Sequence, residues 1–171
     1  MFPHLQAFHL VESSRFRSLL KFCRPSLSDK DIPHRRLIRD EIIRHAYIAE
    51  ERVHENMKKV PSKISFTFDA WTSAPGDPYF SLTAHYIDTP ANSPSAWMLR
   101  SEQLIFQEIK GRHTGTIMAD ILSCALERYE LCGKVGWFTS DGAAVNRTTL
   151  RALQNTSSVQ TGWAAQEHDM L

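Results

Sequence analysis

The chain has 171 residues, 42% hydrophobic and 23% charged, enough for one domain with its own core and a small appendage. No run of about 18 apolar residues exists to cross a membrane, and a net charge of +1 does not by itself announce a nucleic-acid binder. Three widely spaced cysteines, Cys23, Cys124 and Cys132, fit neither a disulfide framework nor a zinc site and point to a reducing, intracellular setting.

The first eighteen residues, "MFPHLQAFHLVESSRFRS", lack a basic start followed by an apolar stretch, so they do not read as a secretory signal. Residues 1–60 carry 12 Lys/Arg against 8 Asp/Glu, and residues 61–171 carry 8 against 11. The N-terminal third is mildly basic, which a solvated helical surface accounts for as readily as a partner does. "SSRFRSLLKFC" predicts a short helix capped at Ser13 or Ser14. After Pro33, residues Ile38, Ile42, Ala46, Ala49, Val53 and Met57 recur at three- and four-residue steps. That spacing predicts an amphipathic helix over 34–59. Residues 1–60 therefore form an N-terminal helical region.

From residue 61 the period changes. "KISFTFD" alternates with period two, as a strand does, and ends on Asp69. "APGDP" is a turn. "YFSLTAHYI" alternates again, with Phe80, Leu82, Ala84 and Tyr86 on one face. After "TPANSP", "AWMLRSEQLIFQEI" is a third extended segment, which gives an antiparallel meander. Thr114 caps a helix, "GTIMADILSCALERYEL", with Ile117, Ile121, Leu122, Ala125 and Tyr129 as its apolar face and Cys132–Gly133 closing it. "KVGWFTSD" is a fourth strand, and "GAAVNRTTLRAL" starts another helix. The order β-β-β-α-β-α gives an α/β fold with a mixed sheet, because a strand reached through a helix usually runs parallel to its partner. This domain spans 61–155, and residues 156–171 read as a truncated polar tail.

Two aspartates fall at equivalent places. Asp69 ends the first strand and Asp141 ends the fourth. Strand ends at the carboxyl edge of a sheet are where α/β proteins gather their sites. Neighbouring carboxylates repel one another and are stabilised by a divalent cation. Mg²⁺ suits such a sparse site, and metal ions there can assist phosphoryl transfer. Taken singly, each Asp reads as readily as a turn former or a helix cap. Trp71 is expected in the core or as a wall beneath the site. His85 is expected on the polar side of its strand, exposed or hydrogen-bonded. His113 stands before a helix start, where a phosphate could bind but where helix capping and packing are the plainer explanation. Arg35, Arg36 and Arg39 form a small basic cluster able to touch DNA phosphates or simply to solvate a helix end. "EHD" at 167–169 has no partner motif.

"SFTFDAWTS", "YFSLTAHYID", "GRHTG" and "FTSDGAAVN", in this order and spacing, resemble the catalytic-domain signature of hAT-superfamily DNA transposases. "DIPHRR" and the helix after it resemble the region that precedes that domain in fungal members. The resemblance covers about residues 8–155. It implies an RNase H-like fold, here incomplete, with three carboxylates binding two Mg²⁺ or Mn²⁺ ions. By position Asp69 is the first carboxylate and Asp141 the second. The third, a glutamate, follows a large helical insertion in the family and has no counterpart here; Glu127 and Glu130 read as surface charges. The family's Cys/His motif, C-terminal dimerisation region and BED-type zinc finger also have no counterpart. The family's Asp-Asn-Ala stands here as Asp141-Gly142-Ala143, and Asn146 matches one of its later asparagines. The resemblance implies a nuclear protein whose intact form cleaves and transfers DNA strands at transposon ends and forms homo-oligomers; Arg35, Arg36 and His113 are the candidate DNA contacts read from the residues. For this chain it implies two of three carboxylates and no activity alone, with weak metal binding or none. The alternative is a domesticated or decaying derivative that binds DNA or protein without catalysis.

Overall fold

Alternation in the middle of the chain is realised as four strands: β1 (Ile64–Thr72), β2 (Pro78–Asp88), β3 (Met98–Glu108) and β4 (Val135–Thr139). The computed structural model describes residues 6–89, 95–111 and 114–155; the expected tail at 156–171 and His113 lie outside them. The chain divides into two compact units, Met1–Glu51 and Arg52–Leu171.

In the second unit the sheet order is β3-β2-β1-β4. β1 and β2 are antiparallel, as are β2 and β3, while β4 is parallel to β1. The parallel pair is joined through helix α4 (Gly115–Arg128), and helix α5 (Ala144–Gln154) follows β4. The mixed α/β sheet expected from the period changes is present, in the expected order. One face of the sheet is buried. Ile64, Phe66 and Phe68 of β1 and Phe80, Leu82 and Ala84 of β2 point into the same core as Met118, Leu122 and Leu126 of α4 and Leu153 of α5. Phe66 is fully buried, its ring stacked on Phe138 with centroids 5.1 Å apart.

Both strands that carry the aspartates end differently from expectation. β1 does not stop at Asp69 but continues to Thr72, because Ala70, Trp71 and Thr72 still pair with Phe80, Tyr79 and Pro78 across the turn. That turn is closed by Ser73, whose Oγ accepts from the Asp77 N–H at 3.0 Å. Gly76 supplies its positive φ of 100°. β4 stops at Thr139, two residues before Asp141. Asp141 lies in the loop to α5.

On β3 the pairing to β2 shifts between Leu82 and Thr83. The extra residue in β3 falls at Leu104, whose carbonyl accepts from the buried Tyr129 hydroxyl at 3.2 Å. Such a bulge re-aims an edge strand. α4 is capped as expected, Thr114 Oγ1 accepting from Ile117 N–H. Its end is earlier than Cys132–Gly133: it stops at Arg128, and Glu130 takes the left-handed conformation with φ 57°. Glu127 and Glu130 are exposed, and Glu130 lies past the helix, 3.4 Å from Lys58.

The first unit holds α1 (Gln6–His9), a 3-10 turn (Leu10–Glu12), α2 (Ser14–Cys23) and the start of α3 (Arg35–Lys59), which runs on into the second unit. Ser13 occupies the N-cap position of α2 without a side-chain cap bond. Arg17 ties the connections together, donating to Val11 O at 2.8 Å and Ile32 O at 3.3 Å. Lys21 first, then Arg17, hydrogen-bond Asp29 and hold its carboxyl below the ordinary range. The long helix is where expected, but its apolar stripe is not buried as expected. Ile42 is 51% exposed, Ala46 and Ala49 are exposed, and Met57 is the fully buried residue of α3. Periodicity states which face can pack; burial needs a partner surface. At its C-terminus, Lys134 Nζ bonds the free carbonyls of Met57 and Lys58 at 3.0 and 2.9 Å.

Candidate functional site

Asp69 lies on the sheet face opposite the core. In β1 the even positions Ile64, Phe66 and Phe68 are buried, and Thr67 and Asp69, out of phase with them, are exposed. Asp69 is opposite Ser81 of β2. The parallel register of β1 and β4 pairs Thr67 with Thr139. Asp69 and Asp141 therefore each stand two residues beyond that pair, Asp69 still within β1 and Asp141 in the loop that follows β4. The topology brings the two carboxylate-bearing positions to the same edge of the sheet.

Asp141 is oriented by its own loop. Its Oδ1 accepts from the Ala143 backbone N–H at 3.2 Å and from the Asn146 side-chain amide. Asn146 is 2% exposed and its own Oδ1 has no hydrogen-bond partner among the described residues. Asp141 is not the cap residue of α5; Ala143 holds that place without a side-chain bond. Gly142 beside it is not strained: a Cβ there meets nothing within 4 Å, and its φ is not positive. Glycine is permitted at this position rather than required.

Two carboxylates at one sheet edge form a donor set that suits a small hard cation retaining most of its water. Asp69 is exposed with no hydrogen bond to its carboxylate among the described residues, and Asp141 has one oxygen fixed and the other unengaged. Both therefore keep oxygens for a cation. Among the described residues no group of three or more His, Cys, Asp or Glu gathers to hold a metal ion.

The remaining sequence candidates fall elsewhere. Trp71 is not a core residue. It is 37% exposed on the Asp69 face and stacks on Tyr79, because odd positions of β1 face away from the helices. His85 is on that face too, its Nε2 2.9 Å from Thr67 Oγ1. Arg35 lies in the first unit, 3.4 Å from Glu12 and bonded to His9. Arg36 and Arg39 pair with Asp40 at 4.0 and 3.6 Å, Arg36 with its side chain 90% exposed. Sequence reasoning missed the clustering of Trp71, Tyr79 and Phe106. Part of the signal was there: Trp71 and Tyr79 fall at odd positions of β1 and β2, out of phase with the buried Phe68 and Phe80.

The chain is similar to several known proteins. Residues 67–167, more than half of the chain, match the family model of the ZBED1 RNase-like domain. A "Putative AC transposase" of Zea mays is 28% identical over 160 residues, covering 91% of this chain and 19% of that protein. A "Putative transcriptional regulator tpeD" of Talaromyces stipitatus is 26% identical over 151 residues, covering 87% and 17%. The "Zinc finger BED domain-containing protein RICESLEEPER 2" of Oryza sativa subsp. japonica is 21% identical over 138 residues, covering 81% and 18%. The chain thus spans about a fifth of the length of the curated relatives it matches. No solved structure gives a significant match. Among the described residues no helix is long and apolar enough to cross a membrane.

Proposed function

Since this chain belongs to the ZBED1 RNase-like domain family, we propose that it supplies the first two carboxylates of a metal-dependent centre for DNA strand cleavage and transfer. The observation that supports this is the parallel pairing Thr67–Thr139: Asp69 follows two residues on in β1, and Asp141 two residues on in the loop after β4. Asp69 and Asp141 would hold Mg²⁺ or Mn²⁺. When bound, the cation supplies Lewis acidity at a phosphate oxygen and lowers the pKa of a bound water. The chain's own residues position the pair. Cross-strand pairing with Ser81 of β2 fixes the backbone at Asp69. Asn146 and the Ala143 N–H fix one oxygen of Asp141 and leave the other for the cation. Second-partner bonds of this kind set ligand orientation in metal sites.

The protein works on DNA in the nucleus, in keeping with relatives named as transposase, transcriptional regulator and BED zinc-finger protein. Arg36 and Arg35, with His113, are its proposed phosphate contacts, Arg36 exchanging its long pair with Asp40 for a phosphate. Homo-oligomers form in the full-length context. With only two carboxylates together among the described residues, a second reading is a non-catalytic module that binds DNA or protein.

A plasmid-nicking assay separates the two. The expected result is no cleavage by the 171-residue chain. Mn²⁺-dependent cleavage is expected from a protein of the relatives' full length that contains this sequence, and Asp69→Ala abolishes it. Cleavage that persists in Asp69→Ala overturns the assignment, and metal-independent DNA binding without any cleavage supports the module.

A further inference from the structure

Asn146 sits in the first turn of α5, its backbone N–H bonded to Ala143 O at 3.0 Å. Its side chain is buried, and its Nδ2 donates to Oδ1 of Asp141. An ionised carboxylate only accepts. The amide nitrogen must therefore face Asp141, and the amide oxygen must face away from it. There that oxygen has no hydrogen-bond partner among the described residues. A buried acceptor without a partner costs stability. An apolar side chain of the same shape avoids that cost, so packing alone does not account for an amide at this position. What the amide does for Asp141 does account for it.

Oδ1 of Asp141 holds two donors, the Asn146 amide and the Ala143 N–H at 3.2 Å. They occupy that oxygen from the protein side and leave Oδ2 for a cation. Asp141 is thereby held to a single-oxygen contact. Asp69 has no hydrogen bond to its carboxylate among the described residues, so the restriction lies on Asp141. Its consequence differs between cations. Ca²⁺ takes about six to eight oxygens and readily uses both oxygens of one carboxylate. Mg²⁺ and Mn²⁺ accept an octahedron made mostly of water, with single-oxygen carboxylate contacts. Closing Oδ1 of Asp141 removes a ligand from Ca²⁺ and none from the smaller ions.

We infer that Asn146 is a positioning residue that sets the cation preference of the Asp69–Asp141 site, holding Asp141 to one oxygen and so disfavouring Ca²⁺ against Mg²⁺ and Mn²⁺. This rests on the reading of the two aspartates as a shared cation site, and adds which ions that site selects. Residues that orient a metal ligand in this way change metal affinity by about 10–100-fold when replaced.

The experiment titrates Ca²⁺ against Mn²⁺ on the 171-residue chain and follows free Mn²⁺ by electron paramagnetic resonance. Wild type, Asn146→Leu and Asn146→Ala are compared, with melting followed by circular dichroism. Leucine keeps the branching of the amide, and alanine covers the case in which the larger methyl groups distort the helix. The expected result is a wild type that prefers Mn²⁺, and variants whose Ca²⁺-to-Mn²⁺ affinity ratio moves about tenfold toward Ca²⁺. A ratio unmoved in both variants, equal weakening of both ions included, overturns the proposal. So does a lower melting temperature with an unmoved ratio, which makes Asn146 a packing residue only. Mn²⁺ binding that is absent from the wild type, or unchanged in Asp69→Asn or Asp141→Asn, overturns the shared site and the selectivity together. A shared site with an unmoved ratio overturns the selectivity alone.

Discussion

Phe66→Ala lowers the stability of the second unit by about 3–5 kcal/mol, the largest loss expected from a single truncation in the sheet. Phe66 is fully buried at the centre of the molecule's only parallel pair among the described strands. It stacks on Phe138 of β4 and pairs with Ala84 of β2. Its removal opens a cavity between the strand that carries Asp69 and the strand that leads to Asp141. Neighbouring strands cannot close it without giving up hydrogen bonds. Domains of this size have about 5–15 kcal/mol of stability in all, so the variant melts far below the wild type or is unfolded at physiological temperature. Urea unfolding followed by circular dichroism measures it. A loss under about 1 kcal/mol contradicts the placement of Phe66 in the core.

Gly115→Ala is destabilising although alanine is the better helix former. Intrinsic propensity alone favours alanine by up to about 1 kcal/mol in a helix interior, and less at a first turn. Against it stands the close approach of α4 and α5. A Cβ on Gly115 would lie 2.8 Å from the Thr148 backbone carbon and closer still to its hydroxyl. A backbone atom cannot swing away as a side chain does, so one helix must shift. Overpacking of this kind costs about 1–3 kcal/mol, and the steric term wins. The shift also moves the start of α5, which holds Asn146 against Asp141. Thermal denaturation of Gly115→Ala beside Gly142→Ala makes a matched pair. Gly142 has open space around it, and there alanine is neutral or stabilising. Gly115→Ala melting at or above the wild type contradicts the contact.

The parts of the structure that local pattern controls were legible in the sequence. Alternation in "ISFTFD" and "YFSLTAHYI" specified which residues face the core, and the burial of Phe66, Phe68, Phe80 and Leu82 follows it. Thr114 announced a helix and caps it. The strand–helix–strand order announced that β4 runs parallel to a strand of the meander, and the structure pairs it with β1, the strand that carries Asp69. What was not legible depends on distant partners. The end of β1 at Thr72 is set by its pairing to Tyr79 and Pro78 across a turn, so a polar residue at Asp69 did not stop it. The exposure of Ile42 depends on what packs against α3, about which its own periodicity is silent. Trp71 was expected in the core or as a wall beneath the site. Its position in the alternation, two after Asp69, was the better guide, and it puts the ring on the open face.

Divalent-cation binding by paired carboxylates is tested most directly by titrating Mn²⁺ into the chain and following the free ion by electron paramagnetic resonance. Wild type, Asp69→Asn and Asp141→Asn are measured side by side, with folding checked by circular dichroism. A weak Mn²⁺ site in the wild type that is lost in each single variant is the expected result, since one carboxylate alone holds the ion too loosely. Binding that is unchanged in either single variant contradicts a shared site at Asp69 and Asp141.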